Sequence, residues 1–293
     1  MKPAPFEYLA PRSLEEALET LAERGAEAKV LAGGQSLLPV LNFRLAQPAA
    51  LVDINRVAEL DFVREEADGG LRLGALVRQR RLERDPLVAR RAPLVAAAVP
   101  HVAHPQIRTR GTLGGSLAHA DPAAELPAVA LALDARLLVR RRGGERWLAA
   151  AEFFTGLFAT ALGEDELLAE IALPPTPERS GVAFLESARR HGDYALAGVA
   201  ARVELDGSGR CRAARLVYFS VGEGPVDAVR AAAALAGHEL DAATIAAAAH
   251  LAASEEIDPL GDIHASSAFK RHLARVLGER ALAAARDRAR EAA

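Results

Sequence analysis

The run Pro174-Pro175-Thr176-Pro177 constrains this chain more than any other stretch. Proline rings fix φ and remove backbone donors, so neither a helix nor a central strand can pass through it. The chain must be laid out as one unit before the run and another after it. At 293 residues it exceeds the usual single-domain size, and the expected units are 1–176 and 179–293.

In the first unit, Ser13 opens the stretch SLEEALETLAE, with Glu16 three residues on and Leu14, Ala17, Leu18 and Leu21 at helical spacing. Gly25 ends that helix, and residues 28–32 form a short apolar strand running into Gly33 and Gly34. A second buried strand, 51–54, makes residues 1–55 a small βαβ-type unit with parallel pairing. Residues 71–76 alternate like a strand, 93–102 form an Ala-rich helix interrupted at Pro100, 125–135 a helix, and 135–140 a strand. Beyond the prolines, 198–205 and 213–221 alternate as antiparallel strands around an Asp206-Gly207 turn, followed by helices at 227–236, 241–253 and 266–291. The class is α+β: a two-part N-terminal domain with a mixed or antiparallel sheet, then a C-terminal α+β domain of antiparallel strands and helices.

Composition excludes several functions. With 51% hydrophobic and 26% charged residues and a net charge of −3, the chain is that of an ordinary globular protein, and nothing points to nucleic acid. Aromatic residues are only 4%, too few for base-stacking platforms. The basic runs 78–84 and 140–142 read as solvated faces or partner contacts. No signal-like or membrane-spanning stretch is found, so a cytoplasmic location is the default expectation. The single Cys211 excludes an internal disulfide or a thiolate-held iron–sulfur cluster. His101, His104, His119 and His191 match no compact ligand spacing, so no metal site is expected.

Two glycine-paired segments carry the chemistry. Ala32-Gly33-Gly34-Gln35-Ser36-Leu37 follows a strand, and glycines without Cβ atoms let an anion reach backbone N–H groups. It has neither the GxGxxG of a nicotinamide site nor the GK[ST] of an ATP loop, and a plain turn remains the alternative. The second segment, Gly111-Thr112-Leu113-Gly114-Gly115-Ser116, reads as a loop of the same kind. Two cradles suggest a dinucleotide with one phosphate at each. Asp121 and Glu125 could accept hydrogen bonds from sugar hydroxyls, or simply serve as a helix cap and first-turn acid.

Residues 32–57, residues 107–135 and Arg189-Arg190-His191-Gly192-Asp193-Tyr194-Ala195 stand in an order that resembles the FAD-binding medium subunits of molybdenum hydroxylases, the xanthine dehydrogenase and aerobic carbon-monoxide dehydrogenase type. The resemblance implies that Ala32, Gly33, Gly34, Gln35, Ser36 and Leu37, with Thr112, Gly114, Gly115 and Ser116, hold the pyrophosphate of FAD. It places Asp121 and Glu125 near the ribityl chain, Val102, Ile107 and Leu168 near the isoalloxazine, and Tyr194 over or beside the ring. Two departures are evident: no Lys stands near Leu185 or Glu186, and Ser116 replaces the Asn often found after the glycines.

The implied function is electron transfer rather than acid–base catalysis, and no catalytic residue is expected. Electrons would come from an iron–sulfur small subunit that is fed by a molybdopterin-binding large subunit, and leave to an external electron acceptor such as NAD, quinone or oxygen. A heterotrimer paired into a heterohexamer is the assembly the resemblance implies. The alternatives are a self-sufficient flavoprotein oxidoreductase and a non-catalytic nucleotide-binding assembly module.

Overall fold

A computed structural model describes residues 1–292. Strands β1 (Glu7–Leu9), β2 (Ala28–Leu31) and β3 (Ala50–Asp53) form a sheet of order β1-β3-β2, parallel throughout. The helix Leu14–Arg24 buries Leu14, Ala17, Leu18 and Leu21. Ser13 caps it, its hydroxyl accepting from the Glu16 N–H at 3.1 Å. The parallel βαβ-type expectation holds. Strand β1 was not read from the sequence, because its exposed Glu7 and Tyr8 between prolines give no apolar alternation.

A second sheet has the order β4-β5-β10-β6-β7, all antiparallel: β4 (Val63–Glu65), β5 (Leu71–Gly74), β6 (Arg136–Arg141), β7 (Gly144–Ala149) and β10 (Leu167–Leu173). A hairpin, β8 (Phe154–Gly156) and β9 (Ala159–Thr160), projects beside it. The helix beginning at Pro93 tightens at Val99, where Pro100 enters the chain, into a 3-10 turn Val99–His101. The helix expected over 125–135 stops at Ala132, and Asp134 turns the chain with φ 52°. The segment 111–116, read as a loop, is instead the entry to a helix, Leu113–His119, capped by Thr112.

After the prolines come β11 (Ser180–Ala188), β12 (Ala195–Leu205), β13 (Cys211–Phe219) and β14 (Val226–Asp227), an antiparallel sheet in chain order. The helix Ser267–Glu291 buries Ala274, Leu277, Ala281, Leu282, Ala285 and Ala289 against it. The helix expected over 227–236 is shorter, Val229–Ala233: β14 takes Asp227 and Ala228 is the cap. The proline run does not separate two cores. Val182, Phe184, Ala200, Val217 and Phe219 belong to one hydrophobic cluster with Leu71, Leu94, Val129 and Ile171. Asp134 accepts from both Arg202 and Arg215 of the C-terminal sheet. Cys211 is buried, and burial pushes its thiol up to about 11, so it is unreactive.

Candidate functional site

Between the parallel sheet and the antiparallel one lies a cleft of about 860 Å³, the size of a cofactor pocket. Ala32, Gly33, Gly34, Gln35, Ser36 and Leu37 line it where β2 ends, and Thr112, Gly114, Gly115 and Ser116 line it at the entry to the facing helix. Val102, Ile107, Asp121, Glu125, Leu168 and Tyr194 complete its wall. Every candidate site residue read from the sequence thus faces one cavity.

The two glycine pairs do different work. Among the described residues, the backbone N–H groups of Gly33, Gly34, Gln35, Ser36 and Leu37 donate to no protein acceptor. Gly34 takes φ 72°, a left-handed turn that glycine adopts freely and that gathers successive N–H groups on one side. The geometry is that of a backbone nest, which suits an anion. At the second pair the N–H groups are already engaged: Leu113 donates to Val77 O, Gly114 to Ala75 O at 2.8 Å, Gly115 to Thr112 Oγ1 at 3.0 Å and Ser116 to Thr112 O. What that segment offers the cleft is hydroxyls, chiefly that of Ser116.

Its glycines serve packing. A Cβ on Gly114 would stand 2.5 Å from Ala75 Cβ, and one on Gly115 would stand 2.6 Å from Thr112 Oγ1. Gly33 lets the segments meet, since a Cβ there would lie 2.6 Å from Arg110 O and 2.8 Å from Gly111 Cα. The expectation of two equivalent backbone cradles is corrected: one nest of N–H groups faces one hydroxyl-bearing helix start.

The far wall is built by a buried cation. Arg108, 4% exposed, donates through Nη1 to the carbonyls of Pro100, Val102 and Ala103 at 3.3, 3.0 and 3.0 Å, and pairs with Glu83 at 3.1 Å. It holds Ala103 at φ 43°. Glu125 opens the helix Glu125–Ala132, and burial pushes its carboxyl up to about 7. Asp121 closes a local turn, accepting from Ala123 N–H at 2.9 Å, so it is not the cap of that helix; Ala124 occupies the cap position. Behind this wall His101 Nδ1 meets Glu186 Oε1 at 3.2 Å, and that hydrogen bond raises the imidazole above its ordinary range. Glu186 Oε2 is buried without a partner. Among the described residues no group of acidic, His and Cys side chains could hold a metal ion.

Sequence reasoning missed part of the cleft. Lys29, His119, Phe158, Thr160, Glu164 and Asp193 also line it. Phe158 comes in on the β8–β9 hairpin, its ring 5.2 Å from that of His119. Gly192, at φ 85°, brings the C-terminal domain's turn against His104, where a Cβ would sit 2.6 Å from the ring. No residue pattern in 154–160 marks that hairpin as part of a site.

A row of free N–H groups at a strand end, opening on a long cleft, suits a dinucleotide-binding protein of the flavoprotein kind. Residues 4–176 match the family described as the FAD binding domain in molybdopterin dehydrogenase, and residues 182–285 the CO dehydrogenase flavoprotein C-terminal domain. The chain is 44% identical over 290 residues to the 6-hydroxypseudooxynicotine dehydrogenase complex subunit alpha of Paenarthrobacter nicotinovorans, covering 99% of this chain and 97% of that one. It is 41% identical over 208 residues to the carbon monoxide dehydrogenase medium chain of Hydrogenophaga pseudoflava, covering 71% and 72% of the two chains.

Its fold superposes on a solved carbon monoxide dehydrogenase from Hydrogenophaga pseudoflava with a TM-score of 0.95, 38% identity and coverage of 98% and 99%. Quinoline 2-oxidoreductase from Pseudomonas putida 86 gives 0.92, 40% identity and coverage of 100% and 99%. The chain belongs to the FAD-binding medium subunits of the molybdenum hydroxylases. It is an oxidoreductase subunit and its cofactor is FAD. Among the described residues no helix is long and apolar enough to cross a membrane.

Proposed function

We propose that this chain takes electrons from the iron–sulfur clusters of a small subunit and passes them to an external electron acceptor, within an assembly whose molybdopterin-binding large subunit oxidises the substrate. FAD suits the post because it can take electrons singly and release them in pairs. The chain's own residues bind, orient and enclose that cofactor. The observation that carries the reading is the row of unsatisfied N–H groups from Gly33 to Leu37, opening on a cleft of about 860 Å³. Half-exposed on the cleft except at buried Gly33, these donors are free to make charge-assisted hydrogen bonds to a diphosphate.

In this reading the FAD domain spans 1–176 and the C-terminal domain 179–293. Ala32 to Leu37 hold the diphosphate from the nest side, with Thr112, Gly114, Gly115 and Ser116 opposite. Asp121 and Glu125 face the ribityl chain, Val102, Ile107 and Leu168 flank the ring, and Tyr194, 69% exposed at the mouth, stands beside it. The relatives similar to this chain are named as subunits of larger dehydrogenases, which favours this over a self-sufficient oxidoreductase.

The relatives' names, from a carbon monoxide dehydrogenase to caffeine and nicotine-derivative enzymes, span unlike substrates on chains similar to this one. That range supports substrate choice on the large subunit. The test is an absorption spectrum of the full chain, alone and copurified with its partners, with and without added FAD. Flavin bands reduced by the parent substrate only when the partners are present support the proposal. Flavin that stays oxidised in the complete assembly refutes it.

A further inference from the structure

The cradle for the diphosphate depends on two segments that are far apart in sequence, 32–37 and 110–116, and something must hold them in register. An isolated bridge does only part of this: Gln79 N–H donates to Gly111 O at 2.9 Å and Leu113 N–H to Val77 O at 2.9 Å, which fixes the second segment to the turn at 77–79. The first segment has no such bridge beyond Leu31. Its carbonyl at Ala32 accepts instead from Asn55 Nδ2 at 2.8 Å. Asn55 is in turn fixed by Asp53 Oδ1, which accepts from its backbone N–H at 2.9 Å.

Arg78 joins the two halves. Its Nη2 donates to Asn55 Oδ1 at 2.6 Å and its Nη1 to Arg110 O at 2.5 Å, the same carbonyl that Gly33 approaches. The side chain is half-buried and forms no ion pair with a carboxylate among the described residues. Most buried guanidinium groups of this chain do otherwise: Arg108 has Glu83, Arg202 has Asp134 and Arg215 has Asp227. A partly desolvated cation held only by neutral acceptors is electrostatically incomplete. Burial accordingly makes it a weaker base than an ordinary arginine, with the nearby Arg110 charge acting in the same direction and the Asp61 and Asp53 carboxylates offsetting part of it.

Resting on the assignment of the cleft to FAD, we propose that Arg78 is a positioning residue for the cofactor's diphosphate. It ties Asn55, and through it Ala32, to Arg110, and places a positive charge behind the nest. Arg78 does not line the cleft, so it acts through the two segments and not by touching the cofactor. Its planar fork suits this bridge, since one guanidinium reaches two acceptors at a fixed angle, which a lysine ammonium on a flexible stem does not reproduce.

The test is flavin titration of the full chain, in its assembly with partner subunits and stripped of flavin, using FAD and riboflavin as probes. Riboflavin carries the ring and ribityl chain but no diphosphate. Arg78→Met is expected to raise the FAD Kd tenfold or more while the riboflavin Kd stays within twofold, and Arg78→Lys to recover only part of the loss. Asn55→Ala, which breaks the same bridge from its other end, is expected to weaken FAD severalfold with the same selectivity, and it decides the matter if Arg78→Met does not fold. Unchanged FAD affinity in these variants, or equal weakening of both probes, overturns the proposal. A parent assembly that takes up no FAD at all would instead overturn the flavin assignment.

Discussion

Gly33→Ala gives the sharpest test of how the cleft is built. No left-handed φ is needed at Gly33, so the substitution carries no backbone strain and acts only through the added Cβ. That atom would lie 2.6 Å from Arg110 O, whereas ordinary contact begins near 3.4 Å, so the segments must part by roughly 0.8 Å (3.4 − 2.6). The obstructing atoms are backbone and cannot swing aside, and Arg110 O is held by Arg78. Overpacking of this kind costs about 1–3 kcal/mol in stability.

The displacement falls on the nest, where each hydrogen bond to a charged oxygen is worth about 1.5–3 kcal/mol. Losing the equivalent of one weakens FAD by roughly ten- to a hundredfold. Two controls separate this from general damage. Gly115→Ala meets only Thr112 Oγ1, which can rotate away at the cost of a cap worth about 1 kcal/mol. Gly114→Ala meets Ala75 Cβ and backbone, so it should lower the Tm with less effect on affinity than Gly33→Ala. Flavin absorbance titration and thermal unfolding of the flavin-free protein supply both readouts. Gly33→Ala binding FAD within threefold of the parent, or Gly114→Ala weakening it more, would refute the division of labour between the glycine pairs.

Three further outcomes are expected. Burial holds Glu125 near 7, so the folded carboxyl keeps its proton to higher pH than the unfolded one. Stability from this group is full below about 4.5 and is lost as pH rises to about 7, a change of roughly 3 kcal/mol. Denaturant unfolding of the flavin-free chain should show Glu125→Gln flattening that decline, and an unchanged pH profile would contradict it. In Glu186→Gln, the His101 ring loses the partner that raises its proton affinity, so its NMR titration should move down in pH. Stability that the charged His101 contributes below its ordinary range, and that is lost as pH rises through the raised value, should fade with it; a titration that does not move would exclude the pairing. Arg108→Met leaves three carbonyls without their donor and Glu83 with Arg80 alone, and should cost about 1–3 kcal/mol by thermal or chemical unfolding. A loss under about 1 kcal/mol would mean that the Pro100–Ala103 wall is held by other contacts.

What the sequence shows of this molecule is what is written in local chemistry. The Ser13 cap, the apolar stripe of the first helix and the glycines at 33–34 each act within a few residues of themselves, and all are visible as patterns. The members of the cleft could be gathered only because three separated motifs resemble one family; periodicity alone places none of them near another. Where local chemistry misleads, tertiary packing has reassigned it. Gly114 and Gly115 look like a second phosphate loop, yet the first is small because Ala75 lies against it and the second because Thr112 caps the helix beneath it.

The role of Arg78 is invisible in the basic run 78–84, since a solvated arginine and one bridging Asn55 to Arg110 O have the same neighbours in sequence. The proline run shows the limit most plainly. It does bar regular structure, but Val182, Phe184 and Phe219 pack into the same cluster as Leu94 and Val129. The two sides of that run therefore share apolar surface that neither could leave exposed. It follows that the turn carrying Gly192 and Tyr194 is held over the cleft by the core itself, and that the site's mouth is as much a product of the C-terminal sheet as its floor is of the nest.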